Sequence, residues 1–113
     1  MRYNKIKVVK KPWGRELHFA VEDEYAGKIL EVKKGHRLSL QYHRNKKETM
    51  YILEGKVKFT LGGKTRTVGI GKSITVEPHT KHRVEALKDT RIIEVSTSEL
   101  DDVVRVEDDY NRN

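Results

Sequence analysis

Five histidines and no cysteine bound the chemistry open to this 113-residue chain. A lone His on a strand is usually structural, so His18, His36, His43, His79 and His82 are sorted by spacing. Gln41 and His43 are two apart in an alternating run, which sends both side chains to the same face. Glu48 follows at the start of the next run, and His82 opens another run after the Gly71…Pro78 turn segment. In a closed barrel these strands face one another and bring Gln41, His43, Glu48 and His82 to one point. Two imidazole nitrogens with two side-chain oxygens suit a divalent first-row ion such as Zn, Mn, Co, Ni or Fe. The missing cysteines exclude a thiolate zinc cluster, a cysteine nucleophile and a disulfide scaffold.

Period-two alternation supplies strands to hold such a set. Lys56 to Leu61 puts Val57, Phe59 and Leu61 on one face, and Lys64 to Val68 follows after Gly62-Gly63. That pattern predicts a hairpin with a tight primed turn. Comparable runs are Leu17–Glu22, Lys28–Lys33, Leu38–His43, Thr49–Leu53, Ser73–Val76, His82–Leu87 and Arg91–Ser96. A strand roughly every 8 to 12 residues, punctuated by Gly and Pro, predicts an all-β sandwich or small barrel. Only Ser98–Val104 reads as a helical turn, with Ser98 as its cap. No linker, repeat or low-complexity stretch divides residues 1–113, which predicts one domain.

Lys+Arg is 24 and Asp+Glu is 17, a net charge of +7. The basic residues are spread along the chain from Arg2 to Arg112, and aromatics are not interleaved with them as in a stacking platform. They predict a solubilising surface that leaves small anions open as partners, not nucleic acid. No apolar run is long enough for a membrane helix, and the first residues lack a signal-peptide core. The expected location is the cytoplasm.

Two blocks carry a family resemblance. Gly35, five residues, Gln41-Tyr42-His43, four residues, Glu48, six residues and Gly55 keep the spacing of the first cupin motif, with Gln in place of its first His. Gly71, five residues, Glu77-Pro78-His79, two residues, His82 and, after three more, Ala86 keep the spacing of the second. The second motif departs at Glu77, His79 and Ala86. A His where the motif has Gly bears on the turn, since Gly often serves a positive φ. Within cupins the chain resembles the type II mannose-6-phosphate isomerases. The resemblance runs through Pro12-Trp13-Gly14, Arg37-Leu38-Ser39-Leu40-Gln41-Tyr42-His43, Thr80-Lys81-His82-Arg83 and the tail from Asp101 to Tyr110, covering residues 11 to 112.

The resemblance implies a single jelly-roll barrel, with motif 1 at 35–55 and motif 2 at 71–86. It implies a metal set of Gln41, His43, Glu48 and His82. It also implies interconversion of mannose 6-phosphate and fructose 6-phosphate through an enediol. Arg37, Lys46, Lys81 and Arg83 are the basic residues available for phosphate, and strand alternation sends Arg83 to the face opposite His82. His79, Lys46 and an unliganded carboxylate are candidates for the proton carrier. Trp13 reads as packing, and His18 as outward or rim-facing. Leu38, Leu40 and Tyr42 form an apolar face opposite the ligands, and a homodimer is the expected assembly. The competing reading is a divergent or non-enzymatic metal-binding cupin that takes another sugar or small molecule, because one fold serves many functions.

Overall fold

The computed structural model of the chain describes residues 1–112 and consists of strands, turns and loops. The strands are β1 (Lys7–Lys11), β2 (Gly14–Val21), β3 (Ala26–Val32), β4 (Leu40–Tyr42), β5 (Glu48–Glu54), β6 (Lys56–Leu61), β7 (Lys64–Gly69), β8 (Ser73–Val76), β9 (His82–Ala86), β10 (Thr90–Ser96) and β11 (Val104–Glu107). They form a six-stranded sheet, β1-β2-β3-β10-β5-β8, and a five-stranded sheet, β11-β4-β9-β6-β7, with antiparallel pairing throughout. This is the expected all-β jelly-roll barrel. Among the described residues, no helix is long and apolar enough to cross a membrane.

The inward faces of the strands change character along their length. Leu30 and Val32 of β3, Met50 and Ile52 of β5, Val84 and Ala86 of β9, and Ile92 of β10 belong to the buried apolar cluster. Continuing the same period-two face on each strand gives Lys28, Glu48, His82 and Glu94, all buried. One end of the barrel is thus a hydrocarbon core, and the other is a buried polar chamber. The core end supplies the hydrophobic driving force, and the polar end must be satisfied by its own ion pairs and ligands.

Several segments differ from the sequence expectation. Ser98–Val104 makes consecutive turns, with Asp102 N–H donating to Glu99 O at 3.3 Å, and the chain then enters strand β11. The carboxylate of Asp102 takes the backbone amides of Arg44, Asn45 and Lys46, which stops a helix from propagating there. Strand β1 was not expected; its Lys7, Lys10 and Lys11 mark it as a charged sheet edge, a common guard against edge pairing. The Leu38–His43 run shortens to Leu40–Tyr42. Arg37 bridges Glu85 while Gln41 pairs with His82, so four steps along one strand oppose three along the other. This bulge turns Leu38 into the core, away from the apolar outer face expected for it with Leu40 and Tyr42.

Candidate metal centre

His43 follows the last residue of β4, Glu48 opens β5 and His82 opens β9. The barrel brings them together: one ligand atom from each lies within 4.8 Å of the others. His43 Nε2 is 2.7 Å from Glu48 Oε1, and His82 Nε2 is 3.1 Å from the same oxygen. None of the three side chains is more than 2% exposed. The other ring nitrogens fix the tautomers. His43 Nδ1 is 2.5 Å from the carbonyl of Asp102, and His82 Nδ1 is 2.9 Å from that of Thr80. A carbonyl only accepts, so both Nδ1 atoms carry protons and both neutral rings turn Nε2 lone pairs toward a carboxylate.

Three buried acceptors therefore converge with no protein donor between them, and a cation would reconcile them. Protonation of the rings is one solution. Burial opposes the charge on Glu48, but the hydrogen bond with His43, the close approach of the His82 ring and the nearby Lys46 ammonium override it, holding the carboxyl well below the usual range. A divalent ion is the other. Glu48 Oε2 and His82 Nε2 are buried without any hydrogen-bond partner among the described residues, which leaves donor capacity for a metal. A neutral His pair with a carboxylate is a common donor set for such ions, so the residues fit the group.

Gln41 sits beside this cluster as the register partner of His82, and it lines the same cavity as His43. Its Oε1 accepts from Ser39 Oγ at 2.7 Å. The cavity encloses about 360 Å³. Its apolar wall includes Trp13, Leu30 and Leu38, so Trp13 both packs in the core and borders the chamber.

Lys46 belongs to the chamber and not to a solvated loop. It is buried, with Nζ 3.1 Å from Glu94 Oε2 and 3.6 Å from Glu48 Oε2. Burial disfavours its charge, but the carboxylates of Glu94 and Glu48 outweigh burial and hold its pKa above the ordinary lysine value. Glu94 is pushed up to about 7, by burial first and then by the charge of Glu48. A second pair continues the wall: Lys28 Nζ is 3.3 Å from Glu16 Oε1, which also lies 2.9 Å from His18 Nε2. His18 therefore faces the chamber. The apolar Leu17 and Phe19 take the other face of β2, the reverse of the expected arrangement.

The remaining expected residues stand elsewhere. His79 is exposed with φ at 67°, so the position does demand the left-handed backbone that its motif fills with Gly. Its N–H donates to His43 O at 2.6 Å, tying the motif 2 turn to the ligand strand. Arg83 lies on the face opposite His82, as alternation requires. Its Nε donates to Leu38 O at 2.9 Å, and its other nitrogens face Glu107 and Asp109 at 3.5 and 3.7 Å. Arg37 pairs with Asp109 and Lys81 is exposed, so of the basic residues expected to receive phosphate only Lys46 lines the cavity. Glu16, Lys28, Glu94 and Arg105, all on the cavity wall, were not singled out in the sequence. The available signal was a charge inside an apolar run: Lys28 before Ile29-Leu30, and Glu94 after Ile92-Ile93.

Comparison with known proteins agrees with this geometry. The chain is 32% identical over 109 residues to the mannose-1-phosphate guanylyltransferase ManC of Salmonella typhimurium, covering 92% of this chain and 23% of that protein. It is 33% identical to the mannose-1-phosphate guanylyltransferase of Escherichia coli, with the same coverage. The chain thus spans about a quarter of the length of these relatives. Among solved structures, a nucleoside dehydratase superposes with a TM-score of 0.81 at 17% identity, covering 96% of this chain and 92% of that one, a likeness of fold alone. Residues 28–96, with Glu48 and His82 among them, match the family described as the cupin domain, and the protein belongs to the cupins.

Proposed function

We propose that the protein is a metal-dependent aldose–ketose isomerase that interconverts mannose 6-phosphate and fructose 6-phosphate. The observation that carries this reading is a three-acceptor cluster that borders the cavity through His43, beside two carboxylate–ammonium pairs that line it. The relatives' names support the substrate class, since they act on a phosphorylated mannose. His43, Glu48 and His82 would hold the ion, with Gln41 as a fourth donor. A bound Zn, Mn, Co, Ni or Fe ion supplies Lewis acidity toward substrate oxygens and negative charge.

The chain supplies the proton chemistry. Isomerisation moves a proton between C1 and C2, which needs a base outside the ligand set that reaches both carbons. Glu94 fits: it lines the cavity, binds no ligand imidazole and is held by Lys46 and Lys28. The Lys46 ammonium donates to oxygen as charge builds on the enediolate, a contribution that a dry site amplifies. His79 and Arg83, outside the chamber, take no part in the proton transfer. Trp13, Leu30 and Leu38 exclude water from the intermediate. Sugar phosphates are cytoplasmic metabolites, so the reading carries a cytoplasmic location.

The test is incubation of the metal-loaded chain with mannose 6-phosphate, fructose 6-phosphate being detected by a coupled assay. Turnover that is lost in Glu94→Gln with metal content intact supports the reading. A loaded protein that converts no substrate with any of the five metals returns it to the class of binding cupins.

A further inference from the structure

We propose that Arg105 and Lys11 form the seat of the substrate's phosphate. The seat is a site of its own; its link to a sugar rests on the isomerase reading.

The argument starts from the cations around the cavity. Lys28 is paired with Glu16, Lys46 with Glu94, and Arg112 with Asp108. Lys7, Lys11 and Arg105 also line the cavity, and none of them makes an ion pair among the described residues. Arg105 goes further: its Nε is buried and has no hydrogen-bond partner among the described residues. A guanidinium N–H removed from water without an acceptor is costly, and a ligand oxygen would satisfy it. Of the carboxylates lining the cavity, Glu16 is engaged by Lys28 and His18 and Glu94 by Lys46, and Asp101 makes no ion pair with Arg105 among the described residues.

Register then fixes the distance to the metal centre. Arg105 of β11 is the Cα partner of Gln41 on β4, and Gln41 is the partner of His82 on β9. Register partners share a face, so the three residues form one row across adjacent strands, separated by about 4.8 Å per strand. The Arg105 backbone is thus about 10 Å from that of His82. A hexose phosphate extended from C2 to phosphorus spans about 7 Å, at roughly 1.5 Å per single bond. With its carbonyl end at the metal centre, the phosphate falls beside Arg105. Lys11 lines the same cavity from β1 of the opposite sheet, so its flexible side chain can extend toward the anion from the facing wall. A planar guanidinium offers two parallel N–H groups to a phosphate, and Lys11 adds a point charge.

The experiment titrates inorganic phosphate into the full, metal-loaded chain by calorimetry, comparing wild type with Arg105→Met, Arg105→Lys and Lys11→Met. Arg105→Met should weaken phosphate binding by about 30-fold and Lys11→Met by about 5-fold, with Arg105→Lys in between. Metal content should be unchanged in all variants. In turnover, Arg105→Met should raise KM for mannose 6-phosphate more than it lowers kcat. Lys11→Met, on an edge strand, gives a second reading should Arg105→Met fold poorly. Phosphate affinity within twofold of wild type in both variants would overturn the seat. Phosphate binding that depends on Arg105 in a protein with no isomerase activity would uphold the seat and sink the isomerase reading. Normal turnover with unchanged KM in Arg105→Met would do the reverse.

Discussion

Asp102 is the residue whose loss should be felt most widely for a single surface-level change. Its carboxylate accepts the backbone N–H groups of Arg44, Asn45 and Lys46 at 3.0, 2.7 and 2.9 Å, and its carbonyl receives His43 Nδ1. It therefore clamps the loop that carries His43 into Glu48. The N–H of Arg44, with those of Asn45 and Lys46, outweighs burial and lowers the carboxyl to about 2 from 3.8. At about 1.4 kcal/mol per tenfold change, that drop is worth about 2.4 kcal/mol. Asp102 is partly exposed, so solvent screening discounts the figure to about 1 to 2 kcal/mol. Because the folded pKa is depressed, the stabilisation is complete above pH 4 and is lost as pH falls toward 2. Asp102→Asn should thus unfold in urea about 1 to 2 kcal/mol more easily at pH 7, and the gap should narrow to about a third of that as both proteins are taken to pH 2.5. It should also weaken divalent binding about 10-fold, since the loosened loop holds the Asp102 carbonyl less firmly against His43 Nδ1. Equal urea midpoints at pH 7, or a gap that does not narrow in acid, would refute the clamp.

Other outcomes follow from the same geometry. His79→Gly should leave turnover unchanged and raise stability by up to about 1 kcal/mol, because Gly relieves the left-handed backbone and keeps the N–H bond to His43; thermal melts and kinetics check both. Arg83→Met should lower stability by about 2 kcal/mol in urea melts without changing KM, since Arg83 holds the tail and the Leu38 carbonyl on the face away from the cavity. The protein should sediment as a homodimer at high micromolar concentration. The outer face of the six-stranded sheet carries an apolar row through Val8, Leu17, Ile29, Ile93 and Tyr51 in direct register, and Ile93→Glu should give a monomer.

The fold and the heart of the site are legible in the sequence because both are written in period two. Gln41 and His43 share a face by spacing alone, and Glu48 and His82 each sit where an alternating run begins. Illegible features depend on which face of a strand turns inward. For β2, Leu17 and Phe19 are the apolar face, and an apolar face ordinarily marks the core. Here the inward face is Glu16 and His18, because this end of the barrel is a polar chamber. Lys46 could not be read as buried because its burial depends on Glu94, which is distant in sequence and itself unremarked within an apolar run. Leu38 was misplaced by one bulge, since a single extra residue reverses every side chain on one side of it. The tail reads as helix by its Ser and acidic residues. What decides otherwise is the capture of Asp102 by amides more than fifty residues away, a tertiary contact with no local signature.

The convergence of three acceptors on one point is the claim on which the functional account stands, and metal content measures it directly. Wild-type protein, stripped with chelator, reloaded with Mn²⁺ or Zn²⁺ and desalted, should retain one ion per chain by elemental analysis. His43→Ala, Glu48→Gln and His82→Ala should each retain less than about a tenth of that, because removing one donor from a three- or four-donor set forfeits tight binding. His36→Ala, whose ring bonds to Tyr110 outside the cavity, should match wild type. Stoichiometric metal in His43→Ala, or its loss in His36→Ala, would contradict the account.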